Sequence, residues 1–163
     1  MINVYDDFFS EEIREEIWKL LTLKPKWSPT GGRETNWFWH IDGLEKESYF
    51  NDYLYNVICN KLKLGKKYQI KRIYANGQSS SQIGNPHKDD ADFTFLYYPN
   101  PEWSLGYGGS LIFSEDEKEP TKIIGYKPNR AIMFPSHITH YADGTHRYYT
   151  GFRVSLAYKF IKS

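Results

Sequence analysis

Cysteine and long apolar runs are scarce in this sequence, and each shortage excludes a class of protein. The one cysteine, Cys59, rules out an intramolecular disulfide framework and a cysteine-rich zinc site. No segment approaches the roughly 20 consecutive apolar residues that a transmembrane helix requires. Residues 1–6 lack the basic region and apolar core that begin a secretory signal. The sequence therefore predicts a soluble, cytoplasmic protein without a membrane partner.

Excess charge of either sign is also missing. The chain has 21 Lys and Arg residues against 20 Asp and Glu residues, a formal net charge of +1, and no long basic run. Affinity for duplex DNA depends on cations that neutralise its phosphates, so no duplex nucleic-acid partner is expected. Aromatic residues, by contrast, make up 18% of the chain, and this abundance favours β-strands.

Two segments in the first part of the chain have the apolar spacing of amphipathic helices. The first follows Ser10, a candidate N-cap, and is predicted to end at Lys24-Pro25. Its apolar face consists of Ile13, Ile17, Leu20 and Leu21. The second helix is predicted over residues 48–64, with Gly65 as its stop signal and Cys59 on its buried side. Between the two helices, residues 36–41 have the aromatic density of a strand.

Beyond residue 67 the pattern changes to short apolar segments divided by turn residues. The predicted strands cover residues 68–74, 93–98, 110–113, 121–124, 131–134 and 148–160, with a loop over 76–82. No convincing helix joins them, so the sheet should be antiparallel, and evenly spaced strands suggest a double-sheet jelly roll, or double-stranded β-helix. We expect one mostly-β domain, with supporting α-helices in about 1–66 and a jelly-roll core in about 67–163.

The residues with the clearest chemistry are His87 and Asp89, which lie two positions apart after Pro86. Residues two apart on an extended strand point to the same side, so both should face one cavity. This pair alone is a weak signal, and a second histidine strengthens it: His140 follows the predicted strand 131–134. Two imidazoles and one carboxylate form the facial triad of non-haem Fe(II) oxygenases. His137 is the alternative distal ligand.

Arg153 lies in the last predicted strand and has apolar and aromatic neighbours in the sequence. A cation that points into a barrel needs an anion, because an unpaired buried charge is costly. That anion can be a carboxylate of a dicarboxylate co-substrate, or a structural partner such as Asp92 or Asp143. Arg147 is a second candidate for the same role.

Together these motifs resemble, in family order, the Fe(II)/2-oxoglutarate-dependent dioxygenases, specifically the prolyl-4-hydroxylase-like branch. The resemblance covers residues 68–160, and weakly 4–9. The segments that carry it are 72–78, 87–89, 93–103, 108–113, 134–136 with His140, and 153–155. In that family the distal histidine lies several residues after the Phe-Pro-Ser segment, which favours His140 over His137. The Gly108-Gly109 pair is interpreted as allowing a close approach of two strands.

The resemblance implies a role for each matched residue. His87, Asp89 and His140 would bind Fe(II), and Arg153 would bind the distal carboxylate of 2-oxoglutarate. Four further residues are implied or suggested around the co-substrate: Tyr98 at that same carboxylate, Ser155 as an added hydrogen bond, Tyr74 near the keto-acid end, and Thr94 on the strand face of Tyr98.

The resemblance also implies a reaction: hydroxylation of an unactivated C–H bond, with O2 consumed and 2-oxoglutarate converted to succinate and CO2. Ascorbate is the expected reductant. The substrate it suggests is a prolyl residue in a peptide or protein. Alternatives are a free amino acid or other small molecule, a nucleic acid as in the AlkB-type demethylases, or no reaction at all in a silent jelly-roll binding module.

Segments 28–36, 37–40 and 76–86 are candidates for the substrate groove; the alternative is that Trp37 and Trp39 belong to the core. Strand parity places no second candidate ligand on the same strand face as His40 or His146. We expect them to be exposed, or satisfied by ordinary hydrogen bonds.

Overall fold

The described part of the chain folds into two antiparallel sheets with helices on one side. The computed structural model describes residues 1–23, 26–30 and 37–163. Its α-helices are α1 (Glu11–Thr22) and α2 (Tyr55–Leu62). Its first five strands are β1 (Asn3–Tyr5), β2 (Ser28–Thr30), β3 (Phe38–Ile41), β4 (Tyr68–Gln78) and β5 (Phe93–Tyr97). The remaining five are β6 (Leu111–Ser114), β7 (Lys122–Ile124), β8 (Ala131–Pro135), β9 (Thr139–Ala142) and β10 (Arg153–Lys162).

The strands form a seven-stranded major sheet and a three-stranded minor sheet. The order is β1-β8-β5-β10-β4-β3-β2 in the major sheet and β7-β6-β9 in the minor sheet, and every pair is antiparallel. Most neighbouring strands of the major sheet are distant in the sequence, as in a jelly roll. The predicted mostly-β jelly roll with N-terminal helices is confirmed.

Helix α1 begins and ends close to its predicted limits. Ile17 and Leu21 are buried, whereas Leu20 is exposed. Ser10 precedes the helix in an extended conformation, but its side chain makes no capping hydrogen bond. Lys24-Pro25 lies outside the described residues. Neither described α-helix has the length and hydropathy needed to cross a membrane.

The second predicted helix is divided into two geometries. Tyr49–Leu54 is a π-helical segment, and α2 continues it to Leu62. Lys63 then takes a left-handed conformation with φ of 54°, which ends the helix before Gly65 is reached. Phe50 and Leu54 are fully buried against the major sheet, where the Tyr158 hydroxyl donates to the Phe50 carbonyl at 2.9 Å.

Strand β4 is longer than predicted, and the loop predicted over 76–82 is wrong at its start. Residues 76–78 continue β4, because they pair with Ser155, Val154 and Arg153 of β10. Gly77 allows this pairing: a Cβ at Gly77 would lie only 2.0 Å from the Phe152 ring. Strand β10 in turn begins at Arg153 rather than at residue 148.

The central strands present alternate residues to two different environments. Val154, Leu156 and Tyr158 of β10 belong to the core beneath the helices. The intervening positions, 153, 155, 157 and 159, therefore face the opposite side, toward the minor sheet. Arg153 and Lys159 thus lie on one face of β10, near opposite ends of the space between the two sheets.

Candidate metal centre and cavity

Two histidines and one aspartate converge at one end of the space between the sheets. His87 is joined to His140 of β9 by two backbone hydrogen bonds, of 3.1 and 2.9 Å. The candidate ligand atoms of His87, Asp89 and His140 all lie within 4.8 Å of one another. His87 Nε2 is 3.5 Å from Asp89 Oδ1, and His140 Nε2 is 3.3 Å from Asp89 Oδ2.

Both imidazoles have the orientation that a metal ligand needs. His87 Nδ1 lies 2.8 Å from the Asn85 carbonyl oxygen, and His140 Nδ1 lies 2.8 Å from the Ile138 carbonyl oxygen. A carbonyl oxygen can only accept, so each Nδ1 carries a proton, and Nε2, the ring nitrogen nearer Asp89, is the atom that can bind a metal. This set of two nitrogens and one oxygen fits Fe(II).

The Asp89 carboxylate is buried and has further partners beyond the two histidines. Its Oδ2 accepts hydrogen bonds from Thr94 Oγ1, at 2.6 Å, and from Lys159 Nζ. Thr94 Oγ1 also lies 2.9 Å from Ser136 Oγ. Burial alone raises the pKa of Asp89, but the hydrogen bonds from His140 and His87 and the charge of Lys159 together lower it well below its ordinary value. The carboxylate is therefore ionised.

Arg153 lies at the other end of the same face and is 1% exposed. Its Nε donates to the Gly109 carbonyl at 2.9 Å, and its Nη1 donates to Gln78 Oε1 at 2.8 Å. Its Nη2 and the hydroxyl of Tyr98 are buried without a hydrogen-bond partner among the described residues. The guanidinium carbon lies 5.2 Å from the Tyr98 ring centroid.

The predicted structural partners of Arg153 are engaged elsewhere. Asp92 Oδ2 accepts from the Lys162 backbone N–H, and Asp143 Oδ1 accepts from the Gly144 backbone N–H. No carboxylate in the described part of the chain forms an ion pair with Arg153. Because an unpaired buried cation is costly, this end of the molecule is suited to an anionic ligand.

A cavity of about 370 Å³ connects the two ends. Its lining includes His87 at the metal end, Arg153 with its neighbour Gln78 at the other, and also Phe38, Asn76 and Ser155. This volume lies within the roughly 300–1,000 Å³ range of small-molecule sites. Gly108 and Gly109 both have positive φ, and Gly109 lets the backbone approach Arg153 closely: a Cβ at Gly109 would lie 2.9 Å from Arg153 Cδ.

Tyr74 and Thr94 take positions that the sequence did not specify. Tyr74 is buried, and its ring lies 5.3 Å from Lys159 Nζ and 4.8 Å from the Arg72 guanidinium. Burial raises the pKa of the Tyr74 phenol, which is therefore neutral. Thr94 shares the strand face of Tyr98 as expected, but its hydroxyl contacts Asp89 instead of the space beside Arg153.

The alternative residues lie away from the site. His137 is exposed in the turn between β8 and β9, and Arg147 is exposed with its guanidinium over the Tyr148 ring. His146 is exposed as well. His40 is satisfied by ordinary contacts, since its Nδ1 lies 2.7 Å from Asn76 Oδ1.

The aromatic segment of β3 alternates between two surfaces. Trp37 and Trp39 are 56% and 36% exposed, so the alternative that placed them in the core is wrong. Phe38 lies between them in the sequence and lines the cavity, whereas Trp39 lines a separate depression with Trp18 and Trp27 of about 800 Å³. Residues 31–36 of the predicted groove lie outside the described residues.

Lys159 is the site residue that the sequence reasoning missed. It is buried in β10, and its ammonium contacts the Asp89 carboxylate. Strand parity contained the signal, because position 159 is on the same face as 153 and 155. Strand parity could not show that Asp89 lies opposite that position.

Comparison with known proteins places this site in a family. The sequence profile of the 2OG-Fe(II) oxygenase superfamily matches residues 4–158. A search of curated proteins found no match. Among solved structures, a 2OG-Fe(II) oxygenase family oxidoreductase from Burkholderia pseudomallei has a TM-score of 0.75 at 13% identity, over 98% of this chain and 84% of that one.

Two further structures share the fold. A prolyl hydroxylase from Trichoplax adhaerens, solved with a peptide fragment of the hypoxia inducible factor oxygen degradation domain, has a TM-score of 0.73 at 17% identity. That match covers 98% of this chain and 83% of the other. The alpha-ketoglutarate-dependent epimerase SnoN of nogalamycin biosynthesis has a TM-score of 0.76 at 8% identity, over 98% of this chain and 78% of the other. Identities this low show a common fold, and the profile match over nearly the whole sequence shows the family. The chain belongs to the 2OG-Fe(II) oxygenase superfamily.

Proposed function

We propose that this chain is an Fe(II)- and 2-oxoglutarate-dependent dioxygenase that hydroxylates a prolyl residue in a peptide or protein. Membership of the superfamily implies Fe(II), 2-oxoglutarate and O2. The observation that carries the proposal is the pairing of two features in one cavity: three convergent ligand side chains at one end, and a buried guanidinium with an unpartnered nitrogen at the other. Ascorbate is proposed as the reductant.

His87, Asp89 and His140 are the residues proposed to hold the iron. The iron and 2-oxoglutarate supply the oxidising chemistry: the keto acid is decarboxylated to succinate and CO2, one atom of O2 entering the succinate and the other the C–H bond of the substrate. The protein contributes geometry. The carbonyls of Asn85 and Ile138 orient the imidazoles, and Thr94 orients Asp89. Thr94 is therefore assigned to the carboxylate ligand rather than to the co-substrate.

Arg153 is proposed to hold the distal carboxylate of 2-oxoglutarate. Its Nη2 and the Tyr98 hydroxyl are two buried donors with no other partner among the described residues, and both can donate to one carboxylate. Ser155 lines the cavity on the same strand face and adds a third candidate donor. Tyr74 is proposed at the keto-acid end, where its neutral phenol can donate a hydrogen bond.

The proposal of a prolyl substrate rests on the sequence motifs and on the exposure of the metal end. The His87 side chain is 53% exposed, so a residue within an extended peptide can reach it from outside. Prolyl hydroxylases share this fold, and so does an epimerase, so the fold alone leaves the substrate open. The carboxylate of Asp89 favours hydroxylation over halogenation, which needs an open ligand position for halide.

We also propose one domain, with helical support in about 1–66 and the catalytic core in about 67–163.

Turnover of 2-oxoglutarate tests the proposal. The protein is incubated with Fe(II), ascorbate, O2 and a panel of proline-containing peptides; succinate and a peptide mass gain of one oxygen atom are measured. We expect both in the wild type, neither in His87→Ala, and wild-type amounts in the matched control His137→Ala. Succinate without peptide oxidation would reject the peptide substrate, and equal turnover in His87→Ala would reject the metal site.

A further inference from the structure

Lys159 is the one lysine that is buried among the described residues, and the ligand roles proposed above do not require it. Its side chain is 5% exposed. Burying an ammonium group is costly unless it is paired and hydrogen-bonded. Lys159 Nζ therefore needs an anionic partner inside the protein.

That partner is Asp89, a proposed iron ligand. Lys159 Nζ donates to Asp89 Oδ2 and lies 3.1 Å from Thr94 Oγ1, and the Asp89 side chain is 6% exposed. No other carboxylate of the described chain forms an ion pair with Lys159. Within this pair, the positive charge of the ammonium and the negative charge of the carboxylate cancel.

A metal ion changes this balance. A divalent cation bound by Asp89 shares the carboxylate with an ammonium that already contacts Oδ2. The two cations repel one another, and burial strengthens that repulsion because the local dielectric is low. Lys159 and the metal therefore compete for the charge of a single carboxylate.

We propose that Lys159 is a positioning residue and the internal counter-ion of Asp89: it stabilises the metal-free protein and lowers the affinity of the site for divalent metal. This inference rests on the proposed iron site. It predicts opposite changes in two measurable quantities, the stability of the metal-free protein and its affinity for metal. Removing the charge of Lys159 destabilises the metal-free protein and tightens metal binding, whereas loss of packing alone would weaken both or leave metal binding unchanged.

The test uses Lys159→Met, which keeps the length of the side chain and removes its charge. Mn(II) binding to the full metal-free chain is followed by the electron paramagnetic resonance signal of free Mn(II), and thermal unfolding is recorded with and without Mn(II). We expect the Kd to fall about tenfold or more, the size typical of changes beside a metal ligand. The Tm of the metal-free protein should fall, and Mn(II) should raise it more than in the wild type. Lys159→Arg, which keeps the charge, should bind Mn(II) with wild-type affinity.

Weaker or unchanged Mn(II) binding by Lys159→Met would overturn the inference. If that variant does not fold without metal, Asp89→Asn/Lys159→Met decides: recovery of stability supports a charge pair, and equal instability rejects it. Failure of the wild type to bind Mn(II) or Fe(II) would instead reject the proposed iron site. The two failures are therefore distinguishable.

Discussion

The two ends of the cavity differ in whether their buried polar groups have partners within the protein. At the metal end, Asp89 already has Lys159 and Thr94 as partners. At the other end, Arg153 Nη2 and the Tyr98 hydroxyl have no hydrogen-bond partner among the described residues. Buried polar groups without partners are rare, and each costs about 1–3 kcal/mol. An anion at the Arg153 end relieves that cost, whereas a metal at the Asp89 end must compete with a cation.

The largest expected effect follows from breaking the pair at the metal end. Asp89→Ala leaves the ammonium of Lys159 buried without its anion, so the free energy of unfolding should fall by about 3–5 kcal/mol. His140→Ala, which removes a ligand but leaves the ion pair of Lys159 and Asp89 in place, should cost less. Urea denaturation of both metal-free variants measures the difference. A loss below about 1 kcal/mol in Asp89→Ala would mean that Lys159 does not need this partner.

The next effect is on the affinity of the opposite end for its anion. Arg153→Lys keeps a positive charge but loses the planar fork that can bind a carboxylate through two N–H groups. Binding of 2-oxoglutarate to the Mn(II)-loaded protein should weaken by about 1.5–3 kcal/mol, measured by titration calorimetry. Mn(II) affinity itself should stay at the wild-type value. The matched control is Arg147→Lys, on the exposed arginine, where no change is expected.

Tyr98→Phe probes the unpartnered hydroxyl with a smaller change. Because that hydroxyl makes no hydrogen bond within the described protein, its removal should not lower the Tm of the ligand-free protein. Affinity for 2-oxoglutarate should fall by about 1 kcal/mol, the size of one hydrogen bond. Tyr97→Phe is the contrasting control, since the Tyr97 hydroxyl donates to Asn129 Oδ1 at 3.0 Å and its loss should lower the Tm. A lower Tm for ligand-free Tyr98→Phe would contradict the statement that the Tyr98 hydroxyl has no partner within the described protein.

The smallest effect is expected where an ion pair is exposed. Arg130 holds the pKa of Asp6 at about 2, below its ordinary value of 3.8, although Asp6 is partly exposed. A lowered carboxyl pKa stabilises the folded state above about pH 4, and that contribution is lost as the pH falls toward 2. Asp6→Asn should therefore lower the Tm slightly at pH 7, and the difference from wild type should shrink in acid. A difference that persists at pH 2 would assign the effect to packing.

Several parts of the fold and site were predictable because local pattern and final structure agree. The apolar spacing of α1 buries Ile17 and Leu21, and the position of Arg153 at the start of the last strand puts it on the cavity face. His87 and Asp89 converge as their spacing predicted. These features depend on periods of 3.6 and 2 residues, which are visible in the sequence.

Other parts depend on long-range pairing that no local pattern shows. Strand β9 was missed because Thr139–Ala142 is polar and short; its pairing with β6 and the bridge between His87 and His140 define it. Lys159 looks like a solvent-facing strand residue in the sequence. Only the position of Asp89, 70 residues earlier, makes it a buried partner of the site. The role of Thr94 was unpredictable for the same reason.

The proposed geometry is one iron held by His87, Asp89 and His140 beside a keto acid bound by Arg153. Anaerobic addition of Fe(II) and then 2-oxoglutarate, followed by visible absorption, tests it without knowledge of the substrate. We expect a charge-transfer band that saturates at one Fe(II) and one 2-oxoglutarate per chain and is absent in His140→Ala. No band in the wild type, or an equal band in His140→Ala, would contradict it.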